Sequence, residues 1–356
     1  MRFSILGIIK TVVLFTLLGG VVIGGYAAFG RLPSWLGTLK AEREPAPSQV
    51  VKGREVVVTI PKGASVSQVG SILQEHGVVS SRLVFKLVAM IRGEQRKIQA
   101  GEYLVKTGSD AGDVLDLLIS GKTLTITLTI PEGYNLDQVA ATMEQRGIMP
   151  RSELLKRAKD PRLLKELGIE GDSLEGYLFP DTYFFRLSES KDPELVIRRM
   201  CKRFAEVYDK HVKATADKYR WTRHQVVTMA SLIEKEAVAE EHRLVSAVFH
   251  NRLRKNMRLE SDPTVIYGIK AMGEKITRAD LQRKHPYNTY QIHGLPPGPI
   301  ANPGKASLLA AIDPADVKYL FFVAKNDGTH DFSETLKEHN EKVDRYQRRP
   351  QAQSKN

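Results

Sequence analysis

The chain has 356 residues, of which 42% are apolar and 26% are charged, and its formal net charge is +12. This length predicts two or three domains. The positive charge favours a polyanionic partner, namely nucleic acid, acidic lipid headgroups or an acidic wall polymer. The single cysteine cannot form an internal disulfide, and no Cys/His cluster has the spacing of a metal site. We therefore expect neither a metal nor a cofactor.

The N-terminal segment predicts a membrane anchor. Residues 11–29 form a run of 19 residues without a charge, and the apolar character extends back to Ile5 with only Lys10 interrupting it. A stretch of this length can cross a bilayer. A cleaved signal peptide is the competing interpretation, because Gly25 and Ala27 would suit a signal peptidase. We assign 1–31 to a short cytoplasmic tail and a transmembrane helix, with the remaining body exported.

A linker rich in proline follows at 32–53, and a folded unit begins after it. Its strand, turn and helix recur later in the chain, since TIPKG at 59–63 returns as TIPEG at 129–133. Two copies indicate a duplicated unit, because a solenoid needs at least three repeats. Either both copies are scaffolding, or the first binds glycan.

An aromatic segment and a helical region dominate the rest of the chain. Residues 172–187 read DSLEGYLFPDTYFFRL, which fits either a saccharide groove or a core strand. Residues 192–254 have helical periodicity, whereas 285–304 form a loop rich in proline and glycine. A strand at 319–323 and a helix from Ser333 follow. The last residues, 346–356, have the composition of a disordered tail.

Glu234 is the residue most suited to acid/base chemistry. On a helix it shares a face with Val227, Ala230 and Ser231, which is small and mostly apolar. A carboxyl group at the edge of a core can donate a proton near neutral pH. The competing interpretation is a solvated side chain beside Lys235, and the spacing alone favours this interpretation.

The segments around Glu234 carry a family resemblance. The pieces that carry it are LEGYLFPDTY (174–183), ASLIEKEA (230–237), FHNRL (249–253), MRLESDPTVIYG (257–268), YNTY (287–290) and GLPPGPIANPG (294–304). In this order, they resemble the YceG-like family, the endolytic murein transglycosylases. The central motif shows no departure from the family pattern, and the catalytic glutamate of the family falls on Glu234.

The resemblance implies an α+β protein with an N-terminal transmembrane helix and two modules. A small LysM-like α/β module is expected at 54–123, and a larger mixed α/β catalytic domain with the helix-borne Glu234 at 124–345. The implied location is the bacterial inner membrane, as a single-pass protein with its catalytic body on the outer side. The implied partners are peptidoglycan glycan strands, the lipid bilayer and penicillin-binding proteins of wall synthesis.

The resemblance also implies a reaction. The family cuts the β-1,4 bond between N-acetylmuramic acid and N-acetylglucosamine in nascent strands and leaves 1,6-anhydro muramic ends. If the C6 hydroxyl of the sugar attacks, one carboxylate suffices, whereas ordinary glycoside hydrolysis uses two. Glu234 would protonate the leaving oxygen and then accept the proton of that hydroxyl.

Several other residues are candidates for positioning the sugar. Asn288 and Tyr290 are candidates by analogy with the Tyr-Asn pair of lysozyme-like transglycosylases. Four further side chains complete the predicted substrate-binding set: Tyr287, Tyr177, Asp262 and Glu175. Asp262 and Glu175 would support the site from behind, although Asp262 also fits the cap of the helix that follows it.

Two other functions remain open at this stage. A muramidase would hydrolyse the same bond with water and would need a second carboxylate, for which Asp262 and Asp181 are candidates. A non-catalytic wall-binding scaffold would also suit the positive charge. Nucleic-acid binding is disfavoured, because the sequence has no long basic run, recognition helix or zinc pattern.

Overall fold

The computed structural model of the protein describes residues 53–270 and 274–348, which fall into two units. The first comprises the described residues up to Gln99 together with Leu104–Ser120. The second comprises Ala100–Tyr103 and the described residues from Gly121 onward. Small two-stranded sheets and many helices give the protein a mixed α/β fold, in agreement with the coarse fold prediction.

The first unit contains one strand, three helices and the part of a second strand from Leu104 onward. They are β1 (Glu55–Ile60), α1 (Val66–Glu75), α2 (Arg82–Ile91), β2 (Gly101–Lys106) and α3 (Ala111–Ser120), and β1 pairs with β2. Ser65 starts α1 with a capping box, because its hydroxyl accepts from the Gln68 backbone and the Gln68 side chain binds back. The side chains of Val69 and Leu73 are fully buried.

The second unit begins with a copy of the same local structure. Its elements are β3 (Thr125–Thr129), α4 (Leu136–Gln145), α5 (Arg151–Arg157), α6 (Pro161–Glu166), β4 (Thr182–Arg186), α7 (Leu187–Ser190), α8 (Pro193–His211), α9 (Lys213–Lys218), α10 (Arg223–Glu236), α11 (His242–Arg254), α12 (Asp262–Ile266), α13 (Arg278–Gln282), α14 (Lys305–Ile312), β5 (Phe321–Ala324), β6 (His330–Ser333) and α15 (Leu336–Val343). Asn135 caps α4 in a capping box with Gln138, as Ser65 caps α1 with Gln68.

The repeated turn has one conformational requirement. Gly63 and Gly133 have φ angles of +79° and +74°, in the left-handed region that favours glycine. The repeat seen in the sequence is therefore a repeated strand, turn and capped helix. One residue of the turn differs between the copies, because Lys62 of the first corresponds to Glu132 of the second.

Two hydrophobic clusters fill the second unit. One lies under the antiparallel pair of β3 and β4, in which Leu128 stands opposite Tyr183, and includes α4 and α8. The other surrounds α10, whose residues from Val226 to Ile233 are all buried. The aromatic segment belongs to these cores, since Tyr177, Phe179 and Tyr183 are buried and only Phe184 is strongly exposed, at 62%. The core interpretation of that segment is the one the structure supports.

The predicted C-terminal helix begins later than expected. The sequence places its start at Ser333, whereas α15 begins at Leu336 after Thr335. Ser333 ends β6, which pairs antiparallel with β5. The Thr335 side chain and Glu338 form a capping box, and this pair fixes the start of the helix.

Three predicted segments lie wholly or almost wholly outside the described residues. They are the anchor at 1–31, the linker at 32–53 and the tail at 346–356. Within 53–270 and 274–348, none of the helices combines the length and the apolar character needed to cross a bilayer. The LysM-like assignment of 54–123 and the domain boundaries stay predictions.

Candidate active site

Glu234 lies in the last turn of α10, where the helix reaches the surface of its core. The helix starts at Thr222, which forms a capping box with Gln225. Val227, Ala230 and Ser231 are fully buried, and Glu234, on the same face, is half-buried. The arrangement is the one that the helical spacing predicts, a carboxylate at the edge of an apolar core.

The Glu234 carboxylate is held by the start of another helix. Its Oε2 accepts a hydrogen bond from the backbone N–H of Gly304 at 2.9 Å and another from the Ser307 hydroxyl at 2.5 Å. Gly304 precedes α14, and Ser307 lies in its first turn. The first N–H groups of a helix have no partner within the helix, and its dipole favours negative charge there. The α14 N-terminus therefore fixes the orientation of Oε2.

A second carboxylate, that of Glu132, lies at the same place. A Cβ atom built on Gly304 would stand 1.9 Å from Glu132 Oε1, so the carboxyl group occupies the space that any other side chain at 304 would take. Adding the contacts through Gly304 bounds the separation of the nearest Glu132 and Glu234 oxygens at about 7 Å. The pKa of Glu132 is raised by desolvation first and by the charge of Glu234 second, while His242 lowers it.

The turn that carries Glu132 rests on the end of α10. A Cβ atom on Gly133 would stand 3.5 Å from Glu234 Cγ, and Lys235 Nζ donates to the Gly133 carbonyl at 3.3 Å. The Gly133 N–H in turn donates to the Asn302 carbonyl at 3.0 Å. The 131–133 turn, the end of α10 and the 302–307 segment therefore form one contact region with both carboxylates in it.

Asn302 joins three segments behind this region. Its side-chain oxygen accepts from the Leu178 N–H at 2.9 Å, and its amide donates to the Tyr134 carbonyl at 2.8 Å. Its backbone N–H donates to the same Tyr134 carbonyl, also at 2.8 Å. Asn302 is fully buried, so these hydrogen bonds are made without competition from water.

Glu175 is buried next to Asn302 at the start of α4. Its two carboxylate oxygens accept from the Leu136 N–H at 2.9 and 3.0 Å, and the Tyr267 hydroxyl donates to Oε2 at 3.0 Å. Burial raises the pKa of Glu175 to about 7, although the hydrogen bonds from Leu136 and Tyr267 oppose the shift. Glu175 thus supports the start of α4 and the loops around Asn302.

Another carboxyl group, that of the half-buried Glu236, lies on the far side of α10. Glu236 accepts a short hydrogen bond from the Ser261 hydroxyl, and burial raises its pKa to about 7. Next to Ser261, Asp262 Oδ1 accepts from the Tyr290 hydroxyl at 2.7 Å. Polar side chains from three of the resemblance motifs therefore converge beyond the end of α10.

The sequence comparisons agree with one another. A model of the YceG-like family matches residues 58–345. The chain belongs to the YceG-like family. A relative from Bacillus subtilis (strain 168), named "Endolytic murein transglycosylase", is 36% identical over 311 residues, which cover 82% of this chain and 84% of the relative. One from Streptococcus pneumoniae serotype 2 (strain D39 / NCTC 7466), with the same name, is 32% identical over 76% of this chain and 54% of its own length.

A solved structure extends the likeness to the YceG-like fold. A crystal structure of a YceG-like protein from Listeria monocytogenes has a TM-score of 0.57 and 34% sequence identity, over 81% of this chain and 99% of that one. The predicted family is confirmed, and so is the predicted enzyme class, a lytic transglycosylase. The assignment of individual site residues stays a prediction.

The structure of this YceG-like chain separates the predicted sugar-positioning residues. Asn288 is buried, and its amide donates to the carbonyls of Asp280, Leu281 and Arg283, while Oδ1 accepts from the Tyr290 N–H. Tyr177 is buried with its hydroxyl 3.1 Å from His224 Nδ1. Their predicted contacts with sugar stay predictions, and these internal bonds indicate that both stabilise the protein itself.

The remaining predicted residues are closer to the surface. Tyr290 and Tyr287 are half-buried, and Tyr287 packs against Tyr267 with ring centroids 4.8 Å apart. Asp262 is exposed and is the first residue of α12, so Ser261 takes the capping position that the sequence offered to Asp262. Asp181, a predicted second carboxylate, pairs with Arg203 at 2.8 Å.

Sequence reasoning missed four residues of the contact region: Glu132, Asn302, Gly304 and Ser307. A signal for Glu132 was available, because the repeated turn exchanges Lys62 for Glu132 between otherwise similar copies. Gly304 and Asn302 lay within the resemblance motif at 294–304. Ser307 had no local signal, since its role depends on α14 meeting α10.

The buried carboxyl group of Glu175 leads to a prediction about stability and pH. Because its pKa is raised from 4.5 to about 7, the folded state binds more protons than the unfolded state between these values. Stability from this group is therefore lost as pH rises through that window. We expect the wild type to lose about 3 kcal/mol of its free energy of unfolding across this window. The Glu175→Gln variant should not show this loss. Urea denaturation of both proteins from pH 4.5 to 8 measures the difference, and parallel curves would contradict it.

Proposed function

We propose that the protein is an endolytic peptidoglycan lytic transglycosylase that cleaves the β-1,4 bond between N-acetylmuramic acid and N-acetylglucosamine. The relatives from Bacillus subtilis and Streptococcus pneumoniae support the substrate class, because both are named endolytic murein transglycosylases. The observation that carries the proposal is the geometry of Glu234. One oxygen is fixed by Gly304 and Ser307, and the side chain is half-buried at the edge of a core.

The proposed reaction needs no water and no second reactant. Protonated Glu234 donates its proton to the glycosidic oxygen, the bond from this oxygen to C1 of the muramic acid breaks, and N-acetylglucosamine leaves with its C4 hydroxyl restored. The C6 hydroxyl oxygen of the same muramic acid bonds to C1 and gives its proton to the Glu234 carboxylate. The product is a 1,6-anhydro end, and Glu234 is protonated again. Gly304 and Ser307 hold Oε2, so Oε1 is the oxygen that we assign to proton exchange.

A muramidase is the second candidate, and one observation favours it. Glu132 supplies a second carboxylate whose separation from Glu234, at most about 7 Å, is compatible with hydrolytic glycosidases. In that reaction, water would attack C1 and leave a reducing end. The two earlier candidates for this carboxylate, Asp181 and Asp262, are bound instead to Arg203 and Tyr290.

The proposal includes a place in the cell. The uncharged run at 11–29 supports a single-pass anchor in the bacterial inner membrane, with the enzyme on the outer side where nascent strands lie. A catalytic body with a surplus of Lys and Arg suits a surface of acidic lipid and acidic wall polymer. Penicillin-binding proteins stay a predicted partner, because they make the strands that this enzyme would cut.

The chemical form of the new chain end tests the proposal. The full chain is incubated with uncrosslinked peptidoglycan strands, and the fragments are analysed by liquid chromatography and mass spectrometry. We expect internal cleavage with 1,6-anhydro muramic ends, which are lighter than reducing ends by one water. Reducing ends would establish the muramidase, and intact strands in the presence of folded protein would contradict both candidates.

The hydrogen bond from Ser307 to Glu234 leads to a further prediction. Its removal in Ser307→Ala frees Oε2 and weakens the orientation of the carboxylate, so we expect cleavage to slow by about tenfold. Steady-state cleavage rates measure this change. Ser246→Ala is the matched control, because the buried Ser246 hydroxyl donates to the Ala310 carbonyl at 2.7 Å and has no contact with Glu234. If both variants lose the same fraction of the cleavage rate, the effect of Ser307→Ala is a general loss of packing and not a loss of carboxylate orientation.

A further inference from the structure

The hydrogen bonds of Glu234 do not by themselves favour the protonated form that a proton donor needs. The two hydrogen bonds from Gly304 and Ser307 to Oε2, and the dipole of α14, all favour the ionised carboxylate. The proposed reaction instead starts from the protonated form. A nearby negative charge would oppose these effects, because two like charges in one site disfavour the state in which both are ionised.

Glu132 supplies that charge, and its carboxyl group has room at this position because residue 304 is glycine. Its Oε1 and Cδ lie 1.9 and 2.1 Å from where a Gly304 Cβ would stand, and the Gly304 N–H is bound to Glu234. Gly304 has φ −75° and ψ 176°, which any residue can adopt. Backbone conformation therefore does not require glycine here, and the contact with the Glu132 carboxyl group does.

The charged groups around Glu132 come from two helices. Glu234 and Lys235 face its turn from the end of α10, and His242 faces it from the start of α11. Lys235 Nζ is bound to the Gly133 carbonyl, and His242 is buried with Nε2 3.0 Å from the Ala237 carbonyl. Desolvation and the charge of Glu234 favour the protonated form of Glu132, whereas His242 favours its ionised form. The charge of Glu234 therefore acts on Glu132, and the two carboxyl groups belong to one electrostatic environment.

We propose that Glu132 and Glu234 share one proton, and that Glu132 acts as the positioning residue that keeps this proton available for donation. This inference rests on the proposed function for the use of the proton, but the sharing itself is a property of the free protein. In the catalytic cycle Glu132 forms no bond to the sugar. The proton that leaves with the glycosidic oxygen returns from the C6 hydroxyl, and the pair again holds one proton.

In the competing interpretation, Glu132 is an exposed turn residue without a role in the site, since part of its side chain faces solvent. Two observations oppose it. The first copy of the turn has Lys62 at this position and a Gly63 with open space around it, whereas Gly133 packs against Glu234 and Lys235. The contact with Gly304 also places the carboxyl group towards Glu234 and not away from it.

The pH dependence of cleavage tests the role of Glu132. Without the second negative charge the proton is lost at lower pH, so we expect Glu132→Gln to move the alkaline limb of the rate profile down by about one pH unit. Glu240→Gln removes the same charge from another exposed residue of the second unit and should leave the limb in place. An unmoved limb in Glu132→Gln would overturn the proposal.

Gly304→Ala tests the same idea without changing any charge. The added Cβ displaces the Glu132 carboxyl group, which is the end of a flexible side chain, and the N–H that binds Glu234 is retained. We expect the alkaline limb to move in the same direction as in Glu132→Gln, by a smaller amount. A shift in the opposite direction would contradict a proton shared through this contact.

A titration without substrate separates this proposal from the proposed function. The ¹³C signal of the Glu132 carboxyl group is followed by NMR against pH in the wild type and in Glu234→Gln. We expect the midpoint to fall when Glu234 is neutralised, because the charge of Glu234 raises the pKa of Glu132 in addition to desolvation. An unchanged midpoint would refute proton sharing even in an active enzyme, whereas a shifted midpoint in a protein that cleaves nothing would count against the proposed function alone.

Discussion

The Glu234→Gln variant is expected to cleave glycan strands about a thousandfold more slowly than the wild type. Glutamine has the same shape, and its amide oxygen can accept the hydrogen bonds from Gly304 and Ser307, so α14 keeps its N-terminal partner. An amide, however, neither donates an acidic proton to the leaving oxygen nor accepts one from the C6 hydroxyl. The measurement is the rate at which new chain ends appear, counted by mass spectrometry.

The alternative role for Glu234 is structural, as a side chain that satisfies the N-terminus of α14. Glu234→Gln distinguishes the two roles because it preserves this interaction and removes only the proton chemistry. Circular dichroism and thermal melting establish whether the variant folds as the wild type does. If it does and also retains the wild-type cleavage rate, the role of Glu234 is structural. Glu240→Gln controls for the loss of one negative charge and should cleave at the wild-type rate.

The position of Glu234 could be predicted because local rules determine it. Thr222 and Gln225 mark the start of α10, and the spacing of Val227, Ala230 and Ser231 assigns the buried face. The repeated turn was equally readable, since the glycine and the capping box recur in each copy. Features that depend on neighbours within about four residues were therefore available before the structure.

The partners of Glu234 could not be predicted in the same way. Glu132, Gly304 and Ser307 reach it only because distant segments pack together, and no local period encodes such a contact. The hydrogen bonds of Asn288 could not be predicted either, because its side chain binds three carbonyls of its own loop. The resemblance identified the motifs, and the hydrogen bonds distinguish the residues that hold the loops from those that contact Glu234.

The same distinction makes Asn302 a site of large expected effect. We expect Asn302→Ala to lower the free energy of unfolding by about 3 kcal/mol, because the buried Leu178 N–H loses its acceptor and Tyr134 loses a donor. The cleavage rate of the remaining folded protein should also fall, because Asn302 precedes Gly304 and binds the turn that carries Glu132. Urea denaturation and rates measured well below the unfolding midpoint separate the two effects. Asn340→Ala, at an exposed position of α15, should change stability by less than about 0.5 kcal/mol.

Asn302→Asp adds a dependence on pH that loss of packing alone would not produce. Aspartate retains an acceptor for the Leu178 N–H but loses the amide, which is 3.5 Å from Glu175 Oε1. Below pH 7, Glu175 is mainly protonated, because burial raises its pKa to about 7. At higher pH two buried carboxylates would face each other, so the variant should lose more stability than the wild type as pH rises from 6 to 8. If the wild type and Asn302→Asp instead lose stability in parallel, Asn302 does not contact Glu175 in solution, and the two residues do not hold the loops of the site together.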